Sequence, residues 1–124
     1  MPKPDVVIRD SKSKAGIIYF GATRPGVLEG IDQLAKDGLT LNSLRLKAFP
    51  FTPEVKAFCD AHDQIFVIEQ NRDGQMRSLL MIEGGIAGDK LIATLNYDGM
   101  PLTADFVRKA ILKHLAPAKA QAAE

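Results

Sequence analysis

A single cysteine, Cys59, among 124 residues has nothing to pair with inside the chain, so no disulfide framework holds the fold. Long apolar runs are missing as well. The most apolar stretches, Ala15 to Phe20 and Ile65 to Ile68, fall far below the roughly 20 residues of a membrane-crossing helix. No apolar segment of the secretory type follows Met1-Pro2-Lys3-Pro4-Asp5. Neither sign of charge dominates: 16 Lys and Arg stand against 15 Asp and Glu, which gives no electrostatic pull toward nucleic acid or an anionic membrane. Catalytic signatures are also scarce. The chain has no GxSxG elbow, no GxGxxG run, no Walker lysine and no CxxC pair. These absences leave a soluble protein of a reducing cytoplasm, without a metal site of its own and without a catalytic group of its own.

What is present suits a globular fold. Hydrophobic residues make up 46% and charged residues 25%, and the length allows one hydrophobic core without a staple. Residues 1–115 are expected to form a single α/β domain. The tail 116–124 (APAKAQAAE) carries almost no large apolar side chain and is expected to be disordered.

Residues 15–20 (AGIIYF) and 64–69 (QIFVIE) are continuous apolar runs of the kind that strands buried on both faces require. Residues 43–48 (SLRLKA) alternate Leu44 and Leu46 with Arg45 and Lys47, which predicts a strand near an edge with its polar face exposed. Residues 90–95 (KLIATL) read as a further strand, and Val6 to Ile8 as one more. Between them lie helical stripes. Val27, Leu28, Ile31, Leu34 and Ala35 share one face and stop at Gly38. Thr52-Pro53 caps and starts a second helix with Val55, Phe58, Cys59 and His62 on one side. A third runs from Asp73 through Met76, Leu79 and Leu80 to Gly84-Gly85, and Thr103 caps a fourth with Phe106, Val107, Ala110 and Ile111 inward. This alternation predicts a mostly parallel sheet with helices on both faces.

Ligands of such sheets bind beyond the carboxyl ends of the strands, where four polar loops are expected: 21–26, 48–51, 69–75 and 96–101. In the first, Gly21, Ala22, Thr23 and Arg24 lead into free helical N–H groups, so this loop is a candidate anion site. A tight turn with Pro25 as helix starter explains the same residues. The loop 69–75 is the densest polar segment. Its Glu69, Asn71, Arg72 and Gln75, with Arg24, are the candidates for contact with a substrate or a subunit, while Asn71 or Asp73 also suits a helix cap. Cys59 and His62 lie three apart, a spacing that suggests an activated thiol or half a metal site. Cys59 falls on the apolar stripe and has no second ligand pair, and His62 is expected at the boundary of helix and solvent. His114 is expected to interact with the end of its helix rather than with a metal.

In order and spacing, GIIYFGATRPG, LRLKAFPF, VIEQNRDGQMRSLL and YDGMP resemble the C-terminal domain of the alpha subunit of 2-oxoacid:ferredoxin oxidoreductases, the 2-oxoglutarate type in particular, over about residues 3–115. The most specific stretch is Val67 to Leu80, where Glu69, Asn71 and Gly74-Gln75 stand in the family's places. The resemblance implies a three-layer α/β/α sandwich with a mostly parallel, five-stranded mixed sheet whose first strand is antiparallel, like the C-terminal domain of transketolases. It further implies a complete enzyme that uses thiamine diphosphate, Mg2+, [4Fe–4S] clusters and coenzyme A. Its partners would be a thiamine-pyrimidine-binding domain of the alpha subunit, the beta subunit, and ferredoxin as electron acceptor. Pro2-Lys3-Pro4 resembles the linker after that thiamine-binding domain, as in a longer protein cut or encoded in pieces. Two other readings remain: a stand-alone module binding a small anion or nucleotide, and a hydrolase or transferase relying on Cys59.

Overall fold

The computed structural model describes residues 4–20, 24–46, 53–69, 75–82, 84–95 and 103–115. The two continuous apolar runs become neighbouring strands at the centre of one sheet. They are β2 (Ala15–Phe20) and β4 (Gln64–Glu69), parallel and paired from Ala15↔Gln64 to Tyr19↔Ile68. Beside β2 lies β3 (Asn42–Leu46), and beside β4 lies β5 (Leu91–Leu95), both parallel. The short β1 (Asp5–Val7) pairs antiparallel with the outer side of β3, which completes a five-stranded sheet in the order β1-β3-β2-β4-β5.

Because side chains alternate across a strand, each central strand serves two cores. On one face Ile17, Tyr19, Phe66 and Ile68 pack with Val27, Ile31 and Leu34 of α1 (Arg24–Lys36) and with Val107 and Ile111 of α4 (Ala104–Leu112). On the other face Ile18, Leu44, Ile65, Val67 and Leu91 pack with Val55, Phe58 and Cys59 of α2 (Pro53–Asp60) and with Leu80 of α3 (Gln75–Ile82). Each large side chain fully buried this way contributes about 1.5–3 kcal/mol, so the helical stripes hold the layers together. The result is the expected three-layer α/β/α sandwich with one antiparallel strand.

Local signals close the helices as their residues dictate. Gly38 takes φ +90 just past α1, and Leu39 N–H returns to Leu34 O at 2.9 Å. Thr103 Oγ1 accepts from Phe106 N–H at 3.1 Å and starts α4. Gly30 lets α1 and α4 approach closely, since a Cβ there would sit 2.8 Å from Val107 Cβ.

One expectation fails at β3. Asn42 and Ser43 are buried and Arg45 is half-buried, so this strand has no wet face. The edge position is taken by β1. Arg45 reaches Asp5 across the β1 pairing at 3.3 Å, and Asn42 finds backbone partners in the chain that follows β1. Among the described residues no helix is long and apolar enough to cross a membrane.

Candidate functional site

The strand order makes a switch point. After β2 the chain leaves to the α1 face, and after the adjacent β4 it leaves to the α3 face. Crevices form where neighbouring strands send their connections to opposite sides. Phe20 and Glu69 end those two strands, and Arg24 and Gln75 open the two departing helices. The structure therefore brings Arg24, Glu69 and Gln75 to one edge of the sheet, as their loops predict. Gly21, Ala22, Thr23, Asn71, Arg72 and Asp73 lie outside the described residues, as do the side chains of Arg24 and Gln75.

Glu69 is the candidate whose side chain is defined. Although ionisable, it is only 7% exposed at the end of a core strand. Its Oε2 accepts the backbone N–H of Arg77 at 3.2 Å, in the first turn of α3. The carboxylate thus satisfies a helical N–H that has no partner within the helix, and it places negative charge at the positive end of the helix dipole. The cap that sequence reasoning sought in Asn71 or Asp73 is in part supplied by Glu69, from the preceding strand.

Arg77 itself escaped sequence reasoning. Its guanidinium donates through Nε to Leu91 O at 2.9 Å and through Nη2 to Gly88 O at 2.8 Å. It thereby ties α3 to the 3-10 turn Gly88–Lys90 and to the start of β5. A signal was present: a cation in the first turn of a helix opposes the dipole, so it needs acceptors of its own to be stable there.

Cys59, His62 and His114 lie at the other ends of α2 and α4, away from the switch point. Cys59 is fully buried, and desolvation pushes its thiol up to about 11, partly opposed by the Lys90 ammonium. Thiolate chemistry is therefore disfavoured. Lys90 Nζ donates to Cys59 O at 3.0 Å and acts as a cation at the carboxyl end of α2. The expectation for His62 is corrected: it is 2% exposed, sealed under the sheet edge rather than set at the solvent boundary. Its Nδ1 is 2.6 Å from Phe58 O and its Nε2 is 3.0 Å from Asn42 Nδ2, so its polar atoms are spent on structure. His114 is exposed, with its ring centroid 5.7 Å from that of Phe66. Among the described residues no group of three or more His, Cys, Asp or Glu could hold a metal ion.

No family model matches the chain. Curated relatives do. The chain is 27% identical over 108 residues to 2-oxoacid:ferredoxin oxidoreductase 2, subunit alpha, of Aeropyrum pernix, which covers 86% of this chain and 16% of that protein. It is 24% identical over 107 residues to 2-oxoacid:ferredoxin oxidoreductase subunit alpha of Saccharolobus solfataricus, covering 85% and 17%. The chain thus spans about a sixth of the curated relatives that it matches.

Solved structures share the fold. A 2-oxoglutarate:ferredoxin oxidoreductase from Magnetococcus marinus superposes with a TM-score of 0.79 at 23% identity, covering 91% of this chain and 20% of that one. A split-gene transketolase, described as an inactive beta4 tetramer, gives 0.64 at 17% identity, covering 90% and 40%. The alpha chain of a probable 2-oxoacid ferredoxin oxidoreductase from Thermoplasma acidophilum gives 0.53 at 22% identity, covering 90% and 95%. Over most of its length the chain resembles a segment of the alpha subunits of 2-oxoacid:ferredoxin oxidoreductases, and it has a transketolase-like fold.

Proposed function

We propose that this chain is the C-terminal domain of the alpha subunit of a 2-oxoacid:ferredoxin oxidoreductase of the 2-oxoglutarate type, non-catalytic alone and required for assembly. One observation carries the reading. The sheet order β1-β3-β2-β4-β5, with β1 antiparallel, occurs together with sequence similarity to two alpha subunits over at least 85% of the chain.

In this reading the complete enzyme is a cytoplasmic, thiamine-dependent oxidative decarboxylase that makes acyl-CoA. Thiamine diphosphate, Mg2+, [4Fe–4S] clusters and coenzyme A belong to it as a whole. A [4Fe–4S] cluster needs about four thiolates, and the one cysteine here is buried within a core, so this chain's residues do not fit a cluster. The thiamine-pyrimidine-binding domain, the beta subunit and ferredoxin are the partners. Arg24, Glu69, Asn71, Arg72 and Gln75 face those partners or line the approach to the active site. The placement of Arg24, Glu69 and Gln75 at the switch point supports that role, since such a crevice is where neighbouring parts of an α/β enzyme converge.

The test is reconstitution. The chain is combined with a thiamine-binding alpha fragment and a cluster-bearing beta subunit, and 2-oxoglutarate-dependent ferredoxin reduction is measured with coenzyme A. The expected result is turnover only when all parts are present, with loss of assembly or turnover when Asn71 and Arg72 are both replaced by alanine. Full turnover without this chain would refute the assembly role, and full turnover in the double variant would refute the residue assignment.

A further inference from the structure

The first strand is attached to the body in a different way from the other four. No β1 residue belongs to either core cluster. Val6, Val7 and Ile8 are between 41% and 52% exposed, while Leu44 and Leu46 of the adjoining β3 are buried in a core cluster. What fastens this segment is polar. Asn42 Oδ1 accepts the backbone N–H groups of Arg9 at 2.8 Å and Asp10 at 3.1 Å, and Asn42 Nδ2 donates to Asp10 O at 3.0 Å. Ion pairs join Arg9 to Asp32 of α1 at 2.6 Å and Asp5 to Arg45 at 3.3 Å.

Apolar burial is the dominant cooperative force in a fold, and segments with little of it open separately from the global unfolding reaction. We infer that residues 5–10 form a detachable strap, latched by the Asn42 side chain, which opens as a unit while both cores stay closed. The consequence is a conformational one: when the strap lifts, the outer backbone edge of β3 at Ser43 to Arg45, paired with β1 in the closed form, is freed. Edges of this kind accept strands. The inference stands apart from the proposed function, since it rests on burial and hydrogen bonding alone.

Native-state hydrogen exchange on the full chain, followed by NMR at denaturant concentrations below the unfolding transition, tests it. The amides of Arg9 and Asp10 are the reporters, because both are held by the buried Asn42 oxygen. They are expected to exchange through an opening that is nearly insensitive to denaturant, well before Ile17, Ile18 and Phe66. Asp32→Ala removes the tether on the Arg9 side chain and leaves in place the Asn42 oxygen that holds both reporter amides. It is expected to speed their exchange by roughly two- to fivefold, the effect of a surface ion pair, and to leave Ile17 and Phe66 unchanged. Reporters that share the protection and denaturant dependence of Ile17 and Phe66 would overturn the inference, as would an Asp32→Ala effect spread equally over all of them.

Discussion

Asn42 and His62 share a hydrogen bond of 3.0 Å between Nδ2 and Nε2, and this contact fixes the tautomer of a buried imidazole. The orientation of the Asn42 amide follows from its other partners, because the atom that accepts from Arg9 and Asp10 N–H must be the oxygen. The remaining Nδ2 can only donate, so His62 Nε2 accepts. Its proton is then on Nδ1, aimed at Phe58 O at 2.6 Å.

Nitrogen NMR is expected to report the His62 tautomer that carries its proton on Nδ1. His62→Ala should cost about 2–4 kcal/mol in chemical denaturation, because it empties a packed site and takes one hydrogen-bond partner each from Asn42 Nδ2 and Phe58 O. A signal from the Nε2–H tautomer would contradict the assignment.

The α1–α4 crossing depends on Gly30. A methyl group there would meet Val107 Cβ and Cγ1 at 2.8 Å and the backbone oxygen of Ala104 at 3.2 Å. Gly30→Ala gains helix propensity, about 1 kcal/mol, yet forces the helices apart, and overpacking of this kind costs about 1–3 kcal/mol. A net loss of stability is expected. Val107→Ala should relieve part of it, so the double variant is predicted to be more stable than the sum of the two single effects. Strict additivity in a double-mutant cycle would show that the two positions do not press on each other.

Cys59 offers a pH-dependent test. Burial raises its thiol from an ordinary 9.0 to about 11, so the folded chain keeps a proton that the unfolded chain releases. The sign follows from linkage: this contribution to stability is intact below about 9 and is lost as the pH rises through about 11. Stability is expected to fall over that window, and Cys59→Ala should remove this part of the pH dependence. Iodoacetamide is expected to leave the folded thiol unmodified at pH 8 and to label it readily in denaturant. Rapid labelling of the native chain would contradict the burial argument.

The layers were legible because they depend on patterns local to the chain. Ala15 to Phe20 and Gln64 to Glu69 are apolar at nearly every position, which suits strands covered on both sides. Gly38 and Thr103 carry their meaning in their own backbone preferences. What escaped depends on partners distant in sequence. Residues 43–48 read as a strand with a wet face, yet Ser43 is buried, and Asn42 just before it is buried because its oxygen meets N–H groups 32 and 33 residues earlier. His62 looked amphipathic for the same reason, since Asn42 lies 20 residues away. At the switch point, sequence singled out Glu69 as a candidate but not the N–H it caps.

Glu69 and Arg77 together form the firmest described part of that edge, and their roles can be separated. Glu69→Gln keeps an oxygen for the Arg77 N–H, whereas Glu69→Ala removes it and should cost about 1 kcal/mol, the usual loss of a helix cap. Arg77→Met takes one donor each from the carbonyls of Leu91 and Gly88, and is expected to cost about 1–3 kcal/mol. It should also speed exchange in Gly88 to Leu91, whereas Glu69→Ala should act first on the start of α3. If these residues serve the edge only through folding, assembly with partner subunits should weaken in proportion to lost stability. If Glu69 meets a partner, Glu69→Gln should impair assembly while leaving the melting temperature nearly unchanged. Measuring both quantities for the same three variants decides between the two roles, because a structural cap tolerates the neutral amide and a charged interface contact does not.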